Sequence, residues 1–347
     1  MPNDNDGKPN LIIDTLADAV GALRLDDDMH ELAKAHGELE PKAIEKLSAN
    51  EARQQPTIAD AVKHLLQKQG RSTDPEALVP GVTRKSMSIP ARGGPLHALV
   101  YTPQGARDVP AILYIHGGGW VIANAEVYDG GARGLAKQTG AVVVSVDYRQ
   151  APEHKFPAAW DDCVDAWRWL GENAAALGAD PARLAIAGES AGGCMAVATA
   201  VEARQLGLVA PRHVLAVYPV AQTGSLNTVS YLENAIAKPL NRPMIEWFLG
   251  HLLRTDADKQ DTRLDLEHAG LAGLPPVTII NATIDPLRSD GEHLKDALEA
   301  AGVSVERKIY TGVSHEFFGT AAVVAKAQEA QEYAGARLRA SLGVARA

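Results

Sequence analysis

The segment RLAIAGESAGGCMAVATAVEAR, residues 183–204, joins a short apolar run to an Ala-rich stretch through a turn that contains three glycines. A continuous apolar run is typical of a strand that is covered on both faces of a sheet. The residues after Ser190 favour a helix. Gly188 and Gly192 lie two residues on either side of the serine, where a Cβ would crowd a sharp turn. We therefore predict a strand–turn–helix unit with Ser190 at its apex.

Strands and helices alternate over most of the chain in the same way. KSMSIPAR and HALVYTP predict an antiparallel pair around Gly93-Gly94. Later strands are expected in AILYI (111–115), AVVVSVDYR (141–149), RLAIAGES (183–190), HVLAVYPV (213–220), PPVTIINATIDPL (275–287) and SVERKIYTG (304–312). Helical segments are expected between these strands and at the C-terminus. This alternation predicts the α/β class, with a mostly parallel sheet and helices on both faces.

Two parts of the chain lack strand patterns. In residues 14–70 apolar side chains recur three and four apart, as in LADAVGALRL (16–25) and IADAVKHLLQKQG (58–70), which predicts helices. Residues 222–272 are also helical in character, and a structureless loop of that length is improbable. We expect a helical N-terminal cap at 1–80 and an α/β domain at 81–347, with a lid insertion at about 222–272. The lid should cover the sheet's carboxyl edge, where ligands bind in such folds.

Composition narrows the classes of partner and location. A formal net charge of −9 disfavours binding to nucleic acid and to anionic membrane surfaces. No apolar run approaches the roughly 18 residues of a membrane span. The N-terminus, MPNDNDGKPN, lacks the features of a signal peptide, and two cysteines form no disulfide framework. We therefore expect a cytoplasmic protein.

Gly188, Ser190 and Gly192 match the G-x-S-x-G pattern of a nucleophile elbow, and the flanking strand and helix fit its context. The alternative is a Gly-rich helix start that cradles phosphate.

A second motif, HGGGW, occupies residues 116–120 directly after a predicted strand. Consecutive glycines leave backbone N–H groups free to stabilise an oxyanion. Its alternatives are an ordinary turn or a metal-binding His116, but no second histidine stands at ligand spacing.

HGGGW, DYRQAPEHKFPAA (147–159) and GESAGG together resemble the bacterial hormone-sensitive-lipase-like family of esterases. The resemblance extends from about residue 87 to the C-terminus. It implies an α/β-hydrolase fold with a helical cap, hydrolysis of short- to medium-chain carboxylic esters, no cofactor, and frequent homodimers. Glu189 departs from the family pattern, which most often has Asp at this position.

The order of triad residues in this fold is serine, acid, histidine. Only His293 and His315 follow the expected acid, and His293 lies in a helical run, whereas His315 lies in the loop TGVSHEFFG. We therefore assign His315 as the general base. Asp285 ends a predicted strand before Pro286-Leu287, as in the family's D-P-L pattern, and is assigned as the acid. The alternative for Asp285 is a helix cap, a role for which Asp290 is the better candidate.

The oxyanion hole is expected from the amides of Gly118, Gly119 and Ala191, and the candidate substrate contacts are Trp120, Glu189 and Trp247. We expect a small ester as the substrate, and no metal, nucleic-acid or membrane partner. The same site would also serve an amide or formamide hydrolase or an acyltransferase. A ligand-binding protein without turnover and a long-chain lipase are weaker alternatives.

Overall fold

The computed structural model describes residues 24–344, and a single eight-stranded sheet forms its centre. The strands are β1 (Val82–Ile89), β2 (Leu96–Pro103), β3 (Val109–Ile115), β4 (Val142–Val146), β5 (Ala179–Glu189), β6 (Val214–Val217), β7 (Val277–Ile284) and β8 (Val305–Ser314). Their order across the sheet is β1-β2-β4-β3-β5-β6-β7-β8. β2 pairs antiparallel with both β1 and β4. All the other neighbouring pairs, from β4-β3 to β7-β8, are parallel. The predicted α/β class and mostly parallel sheet are confirmed.

The described α-helices are α1 (Asp27–Gly37), α2 (Ala49–Ala52), α3 (Ile58–Lys68), α4 (Pro75–Leu78), α5 (Asp129–Thr139), α6 (Ala158–Asn173), α7 (Ala191–Gln205), α8 (Val229–Glu233), α9 (Arg242–Leu252), α10 (Arg288–Ala300) and α11 (Ala325–Leu342). In residues 24–344 no helix combines the length and the apolar character that a bilayer span needs.

Helices cover both faces of the sheet. Leu113 and Ile115 of β3 belong to a hydrophobic cluster that includes residues of α6, α7 and α10. The intervening Ile112 and Tyr114 belong to a second cluster with residues of α5 and α11. Because successive side chains of a strand point to opposite faces, the two clusters are the two sides of one sheet. Burial on both faces accounts for the continuous apolar runs of the parallel strands.

The N-terminal helices contribute to both clusters. Met29 and Leu32 of α1 pack in the cluster that contains α5 and α11, whereas Ile44 and Ala49 pack in the cluster that contains α6 and α7. α3 matches the predicted helix at 58–70 and begins with a capping box formed by Thr57 and Asp60. The other predicted helix, 16–25, lies almost entirely outside the described residues. The domain boundary near residue 80 stays a prediction.

Residues 222–272 contain α8, α9 and two short 3₁₀ helices, Asp256–Gln260 and Leu266–His268. α9 is tied to the N-terminal segment, since the indole Nε1 of Trp247 donates a hydrogen bond to the carbonyl of Leu47 at 3.1 Å. The helical character predicted for this stretch is therefore confirmed by its described elements. Its role as a lid stays a prediction.

Candidate active site

Ser190 lies at the sharp turn between β5 and α7, as predicted. Its backbone has φ 56° and ψ −119°, a combination that non-glycine residues rarely adopt. A Cβ at Gly188 would overlap the carbonyl of Gly192, and a Cβ at Gly192 would overlap the carbonyl of Ile115. The two glycines therefore allow the close backbone approach that raises Ser190 above the carboxyl end of the sheet.

Three side chains from distant parts of the chain meet at this turn. His315 follows β8, and its Nε2 lies 3.0 Å from the Oγ of Ser190. Its Nδ1 lies 2.8 Å from the Oδ2 of Asp285, which follows β7. The other oxygen of Asp285 accepts a hydrogen bond from the amide of Leu287 at 2.8 Å. The parallel strands place these loops at one edge, so residues 125 positions apart become neighbours.

Burial lowers the pKa of His315, but the charge and hydrogen bond of Asp285, with the charge of Glu316, outweigh it and raise the pKa above its ordinary value. Asp285 is fully buried, and its two oxygens both accept hydrogen bonds. An ionised carboxylate in this position orients the imidazole and stabilises the imidazolium that forms when His315 takes a proton. The arrangement suits a general base acting on Ser190.

The glycine-rich loop after β3 has the backbone geometry that its sequence requires. Gly118 has φ 92° and Gly119 has φ 57°, both in the region that favours glycine. The phenol of Tyr148 donates hydrogen bonds to the carbonyls of His116 and Gly117, at 3.1 and 3.0 Å, and so holds the loop. Ala191 is the first residue of α7, so its N–H has no acceptor within the helix.

His116 supports this loop from within the protein. Its ring stacks on Tyr148 with centroids 4.3 Å apart, and its Nδ1 contacts the carbonyl of Gly117 at 2.7 Å. Burial lowers the pKa of His116, although Asp147 and the Gly117 carbonyl oppose the shift. Within residues 24–344, no group of three or more His, Cys, Asp or Glu side chains is arranged to hold a metal ion.

A small cavity opens beside Ser190 and Gly119. It has room for about two water molecules and is enclosed mainly by apolar side chains. Trp120 lines it, as the sequence predicts for a substrate contact. From α9 the cavity receives the side chains of Ile245, Phe248 and Leu249. The ring of Phe248 packs so closely on Gly119 that a Cβ there would overlap it.

Glu189 and Trp247, the other candidate substrate contacts, do not line this cavity. The Glu189 carboxyl is buried and hydrogen-bonded to two tyrosines, Tyr114 and Tyr218. Trp247 faces the N-terminal segment through its bond to Leu47. The structure places the adjacent Phe248 in the cavity, a residue that the sequence analysis missed. The spacing of Ile245, Phe248 and Leu249 on one helix face could have identified it.

The prediction that Asp290 is the better candidate for a helix N-cap is wrong. α10 begins at Arg288, and Asp290 lies buried in its first turn, where it accepts a hydrogen bond from the amide of Ala221 at 3.1 Å. Burial raises the pKa of Asp290 well above its ordinary value. Asp290 therefore connects α10 to the segment after β6.

The chain is similar to known hydrolases and esterases. A family model described as alpha/beta hydrolase fold matches residues 112–319. The chain is 39% identical over 292 residues to a carboxylesterase of Mycobacterium tuberculosis, covering 82% of this chain and 91% of the relative. It is 33% identical over 308 residues to an ethyl acetate hydrolase of Pseudomonas putida, covering 86% and 92%.

Solved structures show the same similarity. An esterase of Pyrobaculum calidifontis superimposes with a TM-score of 0.79 at 34% identity, covering 89% of this chain and 98% of that one. A thermostable esterase of Pseudomonas putida has a TM-score of 0.79 at 29% identity, with coverage of 92% and 98%.

Proposed function

Because this chain belongs to the hormone-sensitive-lipase-like branch of the α/β-hydrolase family and is a carboxylic ester hydrolase, we propose that Ser190, His315 and Asp285 are its catalytic triad. The observation that supports this assignment best is the continuous hydrogen-bonded series from Ser190 Oγ to His315 to Asp285, at 3.0 and 2.8 Å. These contacts lie within the range required of a nucleophile and its base.

In the acylation step, Ser190 Oγ attacks the ester carbonyl while His315 Nε2 accepts the hydroxyl proton. The carbonyl oxygen becomes an oxyanion, for which we assign the amides of Gly118, Gly119 and Ala191 as donors. Loss of one such donor typically costs about 10²–10³ in rate. His315 then gives the proton to the leaving alcohol, and an acyl-enzyme remains on Ser190.

In the deacylation step, a water molecule takes the place of the alcohol. His315 removes its proton as it attacks the acyl carbonyl, and the acid leaves when Ser190 regains its proton. No step requires a metal or cofactor. Asp285 orients the imidazole and stabilises the imidazolium in both halves of the cycle.

We assign short- to medium-chain carboxylic esters as the substrates. The apolar lining of the cavity beside Ser190 suits a hydrocarbon acyl group, and its small size suits a short one. The relative from Pseudomonas putida is named an ethyl acetate hydrolase, which agrees with a small ester. The same relatives favour an ester hydrolase over the amide hydrolase and acyltransferase alternatives.

The test is the Ser190→Ala variant assayed with p-nitrophenyl butyrate. Loss of the nucleophile should lower kcat by roughly 10⁴-fold or more while the protein stays folded. Ser304→Ala is a matched control, because Ser304 is exposed and precedes β8 at the opposite end of that strand from the site. Turnover by Ser190→Ala at a rate close to that of Ser304→Ala would contradict the proposal.

A further inference from the structure

The carboxyl group of Glu189, the residue before the nucleophile, links β5 to a residue of β3 and to a residue that follows β6. Glu189 is the last residue of β5, immediately before Ser190, and only 1% of its surface is exposed. One carboxyl oxygen accepts a hydrogen bond from the phenol of Tyr114 on β3. The other accepts one from the phenol of Tyr218, which follows β6. The side chain therefore acts on its protein neighbours and not on a bound substrate.

A proton on this carboxyl group would be donated to the oxygen of one of the two phenols. Burial raises the pKa of Glu189 to about 8, although the hydrogen bond from Tyr218 opposes the shift, and the nearby charge of Glu316 adds to it. The hydrogen bonds of Glu189 go to the two phenols, whereas Asp285 contacts His315 directly. An effect of Glu189 on catalysis must pass through the positions of the two phenols.

One of these phenols contacts the base. The ring centroid of Tyr218 lies 4.5 Å from that of His315, with the planes tilted by 51°. Tyr218 also has a backbone φ of 35°, a conformation that residues other than glycine rarely adopt. Its surroundings must therefore maintain this conformation, and the bond from its hydroxyl to Glu189 is one of the contacts that do so.

We propose that Tyr218 is a positioning residue for His315, and that the carboxyl group of Glu189 holds its ring in place. His315 must keep Nε2 on the hydroxyl of Ser190 during acylation and then direct the same nitrogen to the leaving oxygen. The Tyr218 ring packs against the imidazole of His315 and limits the orientations that the imidazole can adopt. This inference rests on the proposed role of His315 as general base.

Two phenylalanine variants test the proposal. Each removes the hydroxyl of one tyrosine, and with it one of the two hydrogen bonds to the Glu189 carboxyl group. Tyr218→Phe frees the ring that touches His315, and we expect kcat for p-nitrophenyl butyrate to fall about tenfold with KM unchanged. Tyr114→Phe also leaves Glu189 with one phenol, but the His315 contact stays intact. We expect its kcat to remain within about twofold of wild type.

The carboxyl group can be tested in the same way. Glu189→Gln keeps the length of the side chain, one oxygen that accepts from a phenol, and an NH2 group that can donate to the oxygen of the other phenol, so kcat should stay within about threefold of wild type. Glu189→Leu keeps most of the volume but removes both hydrogen bonds, and should reproduce the loss seen in Tyr218→Phe. This second pair gives an independent result if Tyr218→Phe fails to fold, which thermal unfolding would reveal.

The pH profile separates positioning from general damage to the fold. In Tyr218→Phe the acid limb of kcat/KM should move, because this limb reports the protonation of His315 in the free enzyme. In Tyr114→Phe it should not move. Equal losses of kcat in the two phenylalanine variants, or an unchanged kcat and acid limb in Tyr218→Phe, would overturn the role of Tyr218. The triad would still stand if Ser190→Ala were inactive, so the two proposals fail separately.

Discussion

At the scale of single residues, we expect Asp285 to govern the pH at which His315, the proposed general base, accepts a proton. The charge and hydrogen bond of Asp285 overcome the effect of burial and raise the pKa of His315. The imidazole is a base only when neutral, so activity should fall as the pH drops through a midpoint above the ordinary histidine value of about 6.5. We expect the acid limb of kcat/KM in the wild-type enzyme to show this midpoint.

Asp285→Asn should move that limb to lower pH and reduce kcat by roughly 10⁴-fold, because the imidazolium loses its partner and the tautomer is no longer enforced. The measurement is kcat/KM for p-nitrophenyl butyrate from about pH 5 to pH 9. Asp290→Asn is the comparison, since Asp290 is also buried but contacts Ala221 and not His315. An acid limb unchanged in Asp285→Asn would contradict the assignment of the acid.

Glu189 makes stability depend on pH in a direction that can be checked. Its pKa is about 8 in the folded protein and 4.5 in an exposed chain, so between these values the folded state binds a proton that the unfolded chain has released. The free energy of unfolding therefore falls as pH rises through this window, by up to about 1.4 kcal/mol for each pH unit.

Glu189→Gln lacks this titration. Urea unfolding at about pH 5 and pH 8 should show the variant gaining stability relative to wild type as the pH rises. Parallel stability changes in the two proteins would show that Glu189 does not titrate in this range.

At the scale of elements, α9 determines the space beside the nucleophile. The cavity is lined by Ser190 and Gly119, but His315 is not among its lining residues. The leaving alcohol must lie next to His315, because the imidazole protonates it. Under the proposed mechanism we therefore assign the cavity to the acyl group, with the ring of Phe248 limiting its length.

Phe248→Ala should shift acyl preference towards longer chains. We expect kcat/KM for p-nitrophenyl octanoate, relative to that for the butyrate, to rise about tenfold. This corresponds to about 1–2 kcal/mol, the contribution of roughly one buried apolar contact. Glu246→Ala is the control on the same helix, since Glu246 is exposed and pairs with Arg242 outside the cavity, whereas the ring of Trp247 packs on Phe248. Its chain-length profile should follow wild type. If both variants showed the same shift in acyl preference, the cause would be a general loss of packing of α9 and not the removal of the Phe248 ring.

At the scale of the whole molecule, the N-terminal segment is hydrogen-bonded to the loop that contains Gly118 and Gly119, whose amides we propose as oxyanion donors. The guanidinium of Arg53 donates hydrogen bonds to the carbonyls of Val121 and Ala151, at 2.8 and 2.9 Å, and pairs with Glu153. The amide of Val121 in turn donates to the carbonyl of Gly118 at 3.1 Å. A change in the N-terminal segment can therefore reach the site.

Arg53→Leu should lower kcat by roughly three- to tenfold, through less precise placement of the Gly118 amide, and should speed proteolysis within residues 38–57. Lys68→Met is the control, because Lys68 pairs with Glu38 inside the N-terminal segment and does not reach the loop. Both variants would be followed by limited trypsin digestion and steady-state kinetics. If both lose activity equally, the segment does not act through Arg53.

The sequence by itself determined the order of strands and helices and the candidates Ser190, Asp285 and His315. These follow from local patterns, namely apolar periodicity, glycine spacing and the order of polar residues after strands. The tertiary structure alone decided which neighbour of a motif faces the cavity. Phe248 lies in it while Trp247 does not, and Glu189 turns to Tyr114 and Tyr218. Helix spacing groups Phe248 with Ile245 and Leu249 on one face, but what that face meets depends on packing between segments far apart in the chain.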